Sequence, residues 1–287
     1  MKKTLIYIIG AGRSGTTMLD IVLGNTSESL SLGEINRFFK RNGIPPKRNI
    51  KDKTFLFWKK IREDFEIRNE NIFLSFFDQN QLMDSNEYHS AVFKSVFGKC
   101  DKNYKTLLNN LYDSIFANTT DKIIIESSKY PLRALNLSRL ERKDVEIKYI
   151  YLKKDPVKVV KSFNKKDIEQ PTKGFFKSNI YYFGVNALCI ITVYFLKRRG
   201  HKIAKIKYED LILNPNKTLK KLATDLSENL NIVIGLIDKK IPLKIGYLFD
   251  GNRIRLKESL ILQPIIDKQS KGVKYYLTRV LNYLIYN

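Results

Sequence analysis

The sequence predicts an α/β fold in which a parallel sheet carries a P-loop and is flanked by helices, with a helical insertion. Three observations predict it. Four short segments are almost continuously apolar, which is typical of strands covered on both faces of a parallel sheet. Each of these segments precedes a stretch with helical character. The first of them ends in the glycine-rich stretch GAGRSG, from Gly10 to Gly15, which leads directly into a helical pattern.

The predicted strands and helices alternate along the chain. Ligands of such sheets bind at the carboxyl ends of the strands, so we expect the glycine-rich loop to lie at the binding edge. The predicted strands are TLIYIIG (4–10), KIIIESS (122–128), VEIKYIYL (145–152) and KIAKIKYEDL (202–211), and the predicted helices cover 17–23, 132–140, 157–163 and 216–230.

We expect one domain over residues 1–287 with a helical insertion at 42–118, where longer helical stretches replace the alternation. The apolar segment from Ile180 to Leu196 approaches the length of a membrane span. Because it contains three tyrosines and Asn186 and is followed by KRRG, we interpret it as a buried core helix.

Residues 271–287 predict an amphipathic C-terminal helix, because its apolar residues fall on one stripe at helical spacing. Two interpretations stay open. The stripe docks on the protein core, or a basic amphipathic helix lies on a membrane surface. The stripe consists of Val273, Tyr276, Leu277, Val280, Leu281, Leu284 and Ile285.

The composition favours anionic partners and excludes several kinds of site. Lys and Arg total 52 against 29 Asp and Glu, a net charge of +23. Such a charge favours nucleotides, acidic glycans, nucleic acid or anionic lipid. The two cysteines cannot build a disulfide framework, so a reducing cytoplasm is expected. With two histidines as well, a four-ligand zinc site or a Ser-His-Asp system would need nearly all of these residues.

The glycine-rich loop departs from the loop that binds nucleoside triphosphates. Thr16 stands where that loop has its lysine, while Thr17 keeps the hydroxyl position and Arg13 adds a charge inside the loop. Backbone N–H groups at the start of the helix still bind a phosphate without any side chain. The usual contact with a γ-phosphate and its metal is lost. The loop therefore fits a nucleotide with one 5′-phosphate and one transferable group beyond it.

Two segments together resemble the sulfotransferase family of bacterial type. The first is R-S-G-T-T (13–17) after a strand, and the second is YLKKDPVKVVKSF (151–163), in which Ser162 follows Lys154 by eight residues. The family usually has arginine where Lys154 stands, and lysine lacks the bidentate fork of arginine. Further matches are SLGEINRFF with Glu34 in a G-E turn, as in tyrosylprotein sulfotransferases, ESSKYPLRALNL with Lys129, IKYEDLILNP (206–215) and GNRIR (251–255).

The resemblance implies that the donor is 3′-phosphoadenosine 5′-phosphosulfate (PAPS), the product adenosine 3′,5′-bisphosphate, and that no metal is required. It implies in-line transfer to an acceptor hydroxyl, in which Arg13 stabilises the leaving oxygen, Lys129 is a second cation at the sulfate and Glu34 takes the proton. The donor-binding residues that it implies are Gly12, Arg13, Ser14, Gly15, Thr16, Thr17, Lys154, Ser162, Asn252, Arg253 and Arg255.

The acceptor and the location are less constrained. We expect a hydroxyl on a saccharide or lipid-linked glycan, with a small metabolite as the next choice, in the cytoplasm or at the inner face of the membrane with peripheral membrane contact. We expect no nucleic acid, because no nucleic-acid module is recognised. His89 and His201 lie in no motif and are expected to be ordinary histidines, with His89 as an alternative base. The alternatives are a P-loop kinase, which should keep the lysine and an acidic metal ligand, and a non-catalytic relative that binds anionic glycans.

Overall fold

The fold is a five-stranded, all-parallel sheet with helices on both faces, in a computed structural model that describes residues 2–71, 74–98, 100–140, 142–164, 172–263 and 272–286. The P-loop strand is central, between the third and fourth strands, so the predicted α/β class is confirmed. The strands are β1 (Lys3–Gly10), β2 (Ser29–Gly33), β3 (Ile123–Lys129), β4 (Val145–Lys153) and β5 (Ile203–Lys207), in the order β2-β3-β1-β4-β5.

The helices surround this sheet, and a short antiparallel pair, β6 (Leu243–Lys244) and β7 (Ser259–Leu260), lies apart from it. The helices are α1 (Thr16–Leu23), α2 (Lys53–Arg68), α3 (Phe76–Glu87), α4 (Val92–Phe97), α5 (Lys102–Ala117), α6 (Pro131–Leu137), α7 (Pro156–Phe163), α8 (Phe175–Arg198), α9 (Tyr208–Leu213), α10 (Pro215–Leu226), α11 (Asn231–Asp238), α12 (Val273–Leu281) and α13 (Tyr283–Tyr286).

Two strands differ from the sequence prediction. The strand β2 was not predicted, and it forms the sheet edge beside β3. The strand predicted to reach residue 211 ends at Lys207, where α9 begins. Glu209 and Asp210 lie in the first turn of α9, where carboxylates interact favourably with the helix dipole.

The predicted helix 216–230 is also shorter than expected. Pro215 occupies its first turn, a position that suits proline. The helix ends at Leu226 because Ser227 adopts a left-handed conformation, with φ of 52°.

The two faces of the sheet bury separate apolar clusters. Side chains of α2, α5 and α8 pack on one face, where Trp58 and Leu111 share a core with Tyr7 of β1. Side chains of α1, α10 and α11 pack on the other face with Ile6 and Ile8. The region predicted as a helical insertion, 42–118, contributes α2–α5 and therefore packs against the main sheet.

Helix α8 is half buried along its length. Its inner face, including Cys189 and Val193, belongs to the core beneath the sheet, whereas Ile180 and Tyr194 are exposed. Among the described residues, α8 is the one helix long and apolar enough to cross a membrane, judged by length and composition alone. It packs as a core helix with one face exposed to solvent.

The C-terminal helix docks by its polar face, and not by its apolar stripe. Thr278 and Asn282 are buried, and the Asn282 side-chain amide donates to Asn179 Oδ1 of α8 at 2.8 Å. Arg279 forms an ion pair with Asp155 at the start of α7. Ile285 is the one stripe residue that is buried; the exposed ones are Val273, Tyr276, Leu277, Val280, Leu281 and Leu284.

Candidate active site

The predicted site residues meet at the carboxyl edge of the three central strands. In the parallel register, Gly10 at the end of β1 lies beside Leu152 of β4, and Ile9 lies beside Lys129 of β3. The loops that follow these strands therefore start next to one another. Lys129 and Lys154 lie on opposite sides of the P-loop.

The P-loop has the geometry of a tight turn into α1. Gly15 has φ of +93° and Arg13 has φ of +69°, both in the left-handed region. A Cβ on Gly15 would lie 2.3 Å from the ring of Tyr208, so only glycine fits there. The Ser14 hydroxyl donates to the Ala11 carbonyl at 2.6 Å, which closes the loop from inside.

Arg13 carries a buried polar atom that has no partner. Its guanidinium packs on the Phe163 ring at 5.5 Å, and no described residue accepts a hydrogen bond from its buried Nε. Burial lowers the pKa of Arg13, against the opposing effects of Tyr181 and Glu34. A buried guanidinium N–H without an acceptor is unfavourable until an anionic oxygen reaches it. The loop thus fits a ligand phosphate or sulfate.

Glu34 lies between two cations. Its side chain is 4% exposed, pairs with Lys129 and accepts from Arg37 Nε at 3.1 Å. Burial raises the pKa of Glu34, but the charges of Lys129 and Arg37 outweigh burial and hold the pKa below its usual value. Glu34 is therefore ionised at neutral pH and is a weak base while both cations remain in contact.

The turn before Glu34 is held by a buried carboxyl on α1. Gly33 donates its N–H to Asp20 Oδ2 at 3.0 Å, and Glu34 donates its N–H to the Asp250 carbonyl at 3.2 Å. Burial raises the pKa of Asp20 from 3.8 to about 7, against the hydrogen bonds that it accepts. Asp20 thus connects α1 to the turn that positions Glu34.

We expect Asp20→Asn to change how stability depends on pH. The folded protein holds the Asp20 proton up to about pH 7, whereas the unfolded chain releases it near pH 4. Ionisation of Asp20 therefore lowers the free energy of unfolding as pH rises from 4 to 7, by up to about 4 kcal/mol. Denaturant unfolding of both proteins at several pH values measures this. The wild-type stability should decline relative to the variant over that range, and a constant difference would contradict the prediction.

Lys129 is fixed by a buried polar network behind it. The preceding residue, Ser128, accepts from the Asn36 N–H at 3.0 Å and donates to Glu126. Arg133 pairs with Glu126 at 2.7 Å and with Glu87 at 2.6 Å. Tyr104 and Tyr112 donate to the same two carboxylates. The end of β3 and the turn that carries Glu34 are therefore connected by hydrogen bonds.

The segment 251–255 lies against the P-loop helix. The Asn252 N–H donates to Thr17 Oγ1 at 3.5 Å, and a Cβ on Gly251 would lie 3.6 Å from Glu34 Oε1. Arg255 is buried and donates to the Gly251 carbonyl at 2.9 Å, so its described contacts support the segment itself. Arg253 is exposed. The predicted donor contacts of Asn252, Arg253 and Arg255 stay predictions.

The predicted 3′-phosphate residues lie beside the P-loop. Lys154 Nζ is 4.2 Å from the centre of the Tyr208 ring, which covers Gly15. Ser162 is in the last turn of α7, directly before Phe163, whose ring contacts Arg13. Both predicted phosphate sites are thus at the same edge of the sheet.

A cavity of about 350 Å³ is lined by some of the predicted site residues and by others that the motifs do not mark. Glu34 and Lys129 line it together with Gly12 of the P-loop. Tyr181 of α8 accepts from the Gly12 N–H at 3.0 Å. Other lining residues that the sequence prediction missed include Arg37, Tyr88, Tyr130 and Lys173.

His89 also lines this cavity. Its ring lies 5.8 Å from that of Tyr130, and its buried Nδ1 has no hydrogen-bond partner among the described residues. Burial lowers the pKa of His89, so the imidazole is neutral at pH 7. The arrangement offers two proton acceptors, Glu34 and His89, beside three cations, Arg37, Lys129 and Lys173. Within the described ranges, no group of three or more His, Cys, Asp or Glu side chains is arranged to hold a metal ion.

A family model described as "Sulfotransferase family" matches residues 6–230, which is 225 of the 287 residues. The chain belongs to the sulfotransferase family. The family resemblance read from the sequence motifs is thereby confirmed. No curated protein matches this sulfotransferase.

Solved structures with similar folds are also sulfotransferases. A sulfotransferase domain from the curacin biosynthetic pathway is 17% identical with a TM-score of 0.48, and the match covers 99% of this chain and 98% of that one. STF9 from Mycobacterium avium is 12% identical with a TM-score of 0.49, covering 82% and 66%. The sulfotransferase domain of the Synechococcus PCC 7002 olefin synthase is 16% identical with a TM-score of 0.45, covering 100% and 96%.

Proposed function

We propose that this sulfotransferase moves the sulfuryl group of PAPS to an acceptor hydroxyl by in-line transfer and without a metal. The observation that carries the proposal is the cavity itself. It joins the P-loop to a carboxylate and a lysine, and Arg13 of that same loop has a buried Nε without a hydrogen-bond partner among the described residues. The sulfuryl group carries one negative charge, so cationic side chains replace the metal of phosphoryl transfer.

The donor is held at two ends. The backbone N–H groups at the start of α1, with Arg13, bind the 5′-phosphosulfate. Lys154 and Ser162 bind the 3′-phosphate from the neighbouring strand and helix. These assignments explain why the P-loop has no lysine, since there is no γ-phosphate for a lysine to contact.

Glu34 is the proposed base, and Lys129 controls it. The charge of Lys129 is the largest influence that lowers the pKa of Glu34. When Lys129 turns toward the sulfuryl oxygens, that influence weakens and the pKa of Glu34 rises toward the value that suits a general base. Arg13 and Lys129 then stabilise the charge that develops on the leaving oxygen.

We expect Glu34→Gln to lower turnover by about 100-fold or more while bisphosphate binding is retained, because a general base contributes about 10²–10⁴-fold. His89→Asn is the matched test of the second acceptor in the cavity, and it should leave at least a tenth of the turnover. Single-turnover assays with a radiolabelled donor measure both. A larger loss of turnover in His89→Asn than in Glu34→Gln would identify His89 as the proton acceptor.

Ligand-induced thermal stabilisation tests the donor. We expect adenosine 3′,5′-bisphosphate to raise the Tm without magnesium and more than adenosine 5′-phosphate or ATP does. Arg13→Ala and Ser162→Ala should reduce this shift. The control is Arg68→Ala, which removes an exposed arginine of α2 paired with Asp64. A larger shift with ATP and magnesium would favour the kinase alternative.

For the acceptor, we propose a hydroxyl on a saccharide or lipid-linked glycan, with a small metabolite as the second choice. The aromatic walls of the cavity, Tyr88, Tyr130 and Tyr181, support a sugar ring, whose apolar C–H face packs on aromatic rings, and Glu34 lines the same cavity. We place the reaction in the cytoplasm, at the inner face of the membrane. Transfer of label to glycans, and not only to small metabolites, supports this choice; binding without any transfer would favour a non-catalytic relative.

A further inference from the structure

Helix α8 has an exposed apolar stripe along most of its length. Ile180 is 72% exposed, and Phe176 and Tyr194 are more than half exposed. Phe183, Ile190 and Ile191 are exposed between them at helical spacing, so the stripe covers one face. At 1.5 Å per residue it extends for about 27 Å. A contiguous apolar face of this size marks an interaction surface in a soluble protein.

The C-terminal helix places a second apolar face next to it. Because α12 docks through Thr278 and Asn282, its opposite side is exposed, and Leu284 at the start of α13 is 84% exposed. The two helices are in contact, since Asn282 bonds to Asn179 and Lys274 Nζ lies 5.9 Å from the centre of the Phe175 ring. The apolar faces therefore lie on neighbouring, packed helices.

The charges on these helices have one sign. Neither Phe175–Arg198 nor Val273–Tyr286 contains an Asp or Glu. The basic residues are Lys177, Lys197 and Arg198 on α8, and Lys274 and Arg279 on α12. Apolar faces flanked by lysine and arginine, with tyrosines among them, match a membrane interface that contains anionic lipid. A second copy of the chain would instead bring the same positive charge to the surface.

We propose that the exposed faces of α8 and α12 form a peripheral docking surface for a bilayer that contains anionic lipid. The apolar side chains enter the interface, and the exposed basic residues Lys177, Lys197, Arg198 and Lys274 contact lipid phosphates. Arg279 stays paired with Asp155. The helix does not span the bilayer, because Cys189 and Val193 on its inner face pack in the protein core. Tyr181 and Val185 of the same helix line the active-site cavity, so docking holds the cavity one helix away from the lipid. Membrane binding by this surface requires neither the sulfuryl donor nor the acceptor.

Vesicle flotation of the ligand-free full chain tests it. We expect flotation with vesicles that contain phosphatidylglycerol, little with phosphatidylcholine alone, and release by high salt. Ile180→Asp should weaken binding by at least about tenfold, since a charge on the apolar face cannot enter the interface. The matched control is Ile67→Asp on α2, because Ile67 is also helical and is 68% exposed. Phe183→Ser is a second, milder test of the same face.

Several outcomes would overturn the proposal. No flotation with anionic vesicles would remove it, as would equal flotation with neutral vesicles or equal weakening by Ile180→Asp and Ile67→Asp. Retention on vesicles after high salt and alkaline extraction would indicate a spanning helix instead. Sedimentation that shows a dimer lost in Ile180→Asp, without vesicle binding, would assign the face to a second copy.

Discussion

Replacing Arg13 with methionine is expected to lower kcat by about 100- to 1,000-fold, the effect typical of removing one group that stabilises transition-state charge. Methionine keeps an apolar stem for packing on Phe163 but lacks the guanidinium. The Nε of Arg13 is buried without a hydrogen-bond partner among the described residues, so it is available to a ligand oxygen. Single-turnover rates with PAPS measure the loss.

Arg13→Lys tests whether a positive charge alone is sufficient or the planar shape of the guanidinium is also needed. Lysine restores a positive charge but not the planar fork, so it should recover part of the rate and not all of it. Tm measurements on both variants check that folding is unchanged, since Arg13 forms no ion pair within the described ranges. Near-normal turnover in Arg13→Met would contradict the role of the P-loop arginine.

The second large effect is on stability. Arg133→Met is expected to lower the free energy of unfolding by about 3–5 kcal/mol, because it leaves buried carboxylates without their counter-ion. The Arg133 side chain is 0% exposed, and its partners Glu126 and Glu87 are buried with it. Urea unfolding at pH 7 measures the loss.

Arg142→Met is the matched control for that variant. Arg142 also pairs with two carboxylates, Asp113 and Asp144, but these are 38% and 64% exposed, so the expected loss is at most about 1 kcal/mol. The deficit of Arg133→Met should also shrink as pH falls. Burial already raises the pKa of Glu87, and removing Arg133 raises it further, so protonation relieves the buried charge at mildly acidic pH. Equal losses of stability in Arg133→Met and Arg142→Met would contradict the greater contribution that we assign to the buried ion pairs of Arg133.

The sequence predicted the centre of the fold because its signals there are local. The strand β1 is a continuous apolar run, and the glycines that follow it predict the loop and α1. The strand β2 gave no such signal, since SLSLG is five residues long with two serines. Its place in the sheet depends on pairing with β3, which lies about ninety positions later and cannot be read from a local pattern.

In the candidate site, too, residues in local motifs were predicted and residues placed by long-range contacts were missed. Arg13, Glu34 and Lys129 were predicted from short motifs, and the structure brings the three into one region at the sheet edge. Tyr181 was missed because its contact with Gly12 joins residues 169 positions apart, and it lies in a segment that periodicity marks only as an apolar helix. The apolar stripe of the C-terminal helix was recognised, but which face docks was decided by the buried Thr278 and Asn282.

The pairing of Glu34 with Lys129 has a kinetic consequence. In the proposed mechanism the charge of Lys129 keeps Glu34 a weak base, so an acceptor that binds before the nucleotide meets no effective base. The proposal implies that Glu34 becomes an effective base only after the sulfated nucleotide has drawn Lys129 away. The enzyme is therefore expected to follow a compulsory order, nucleotide before acceptor, and to remain chemically silent whenever its activated sulfate is scarce.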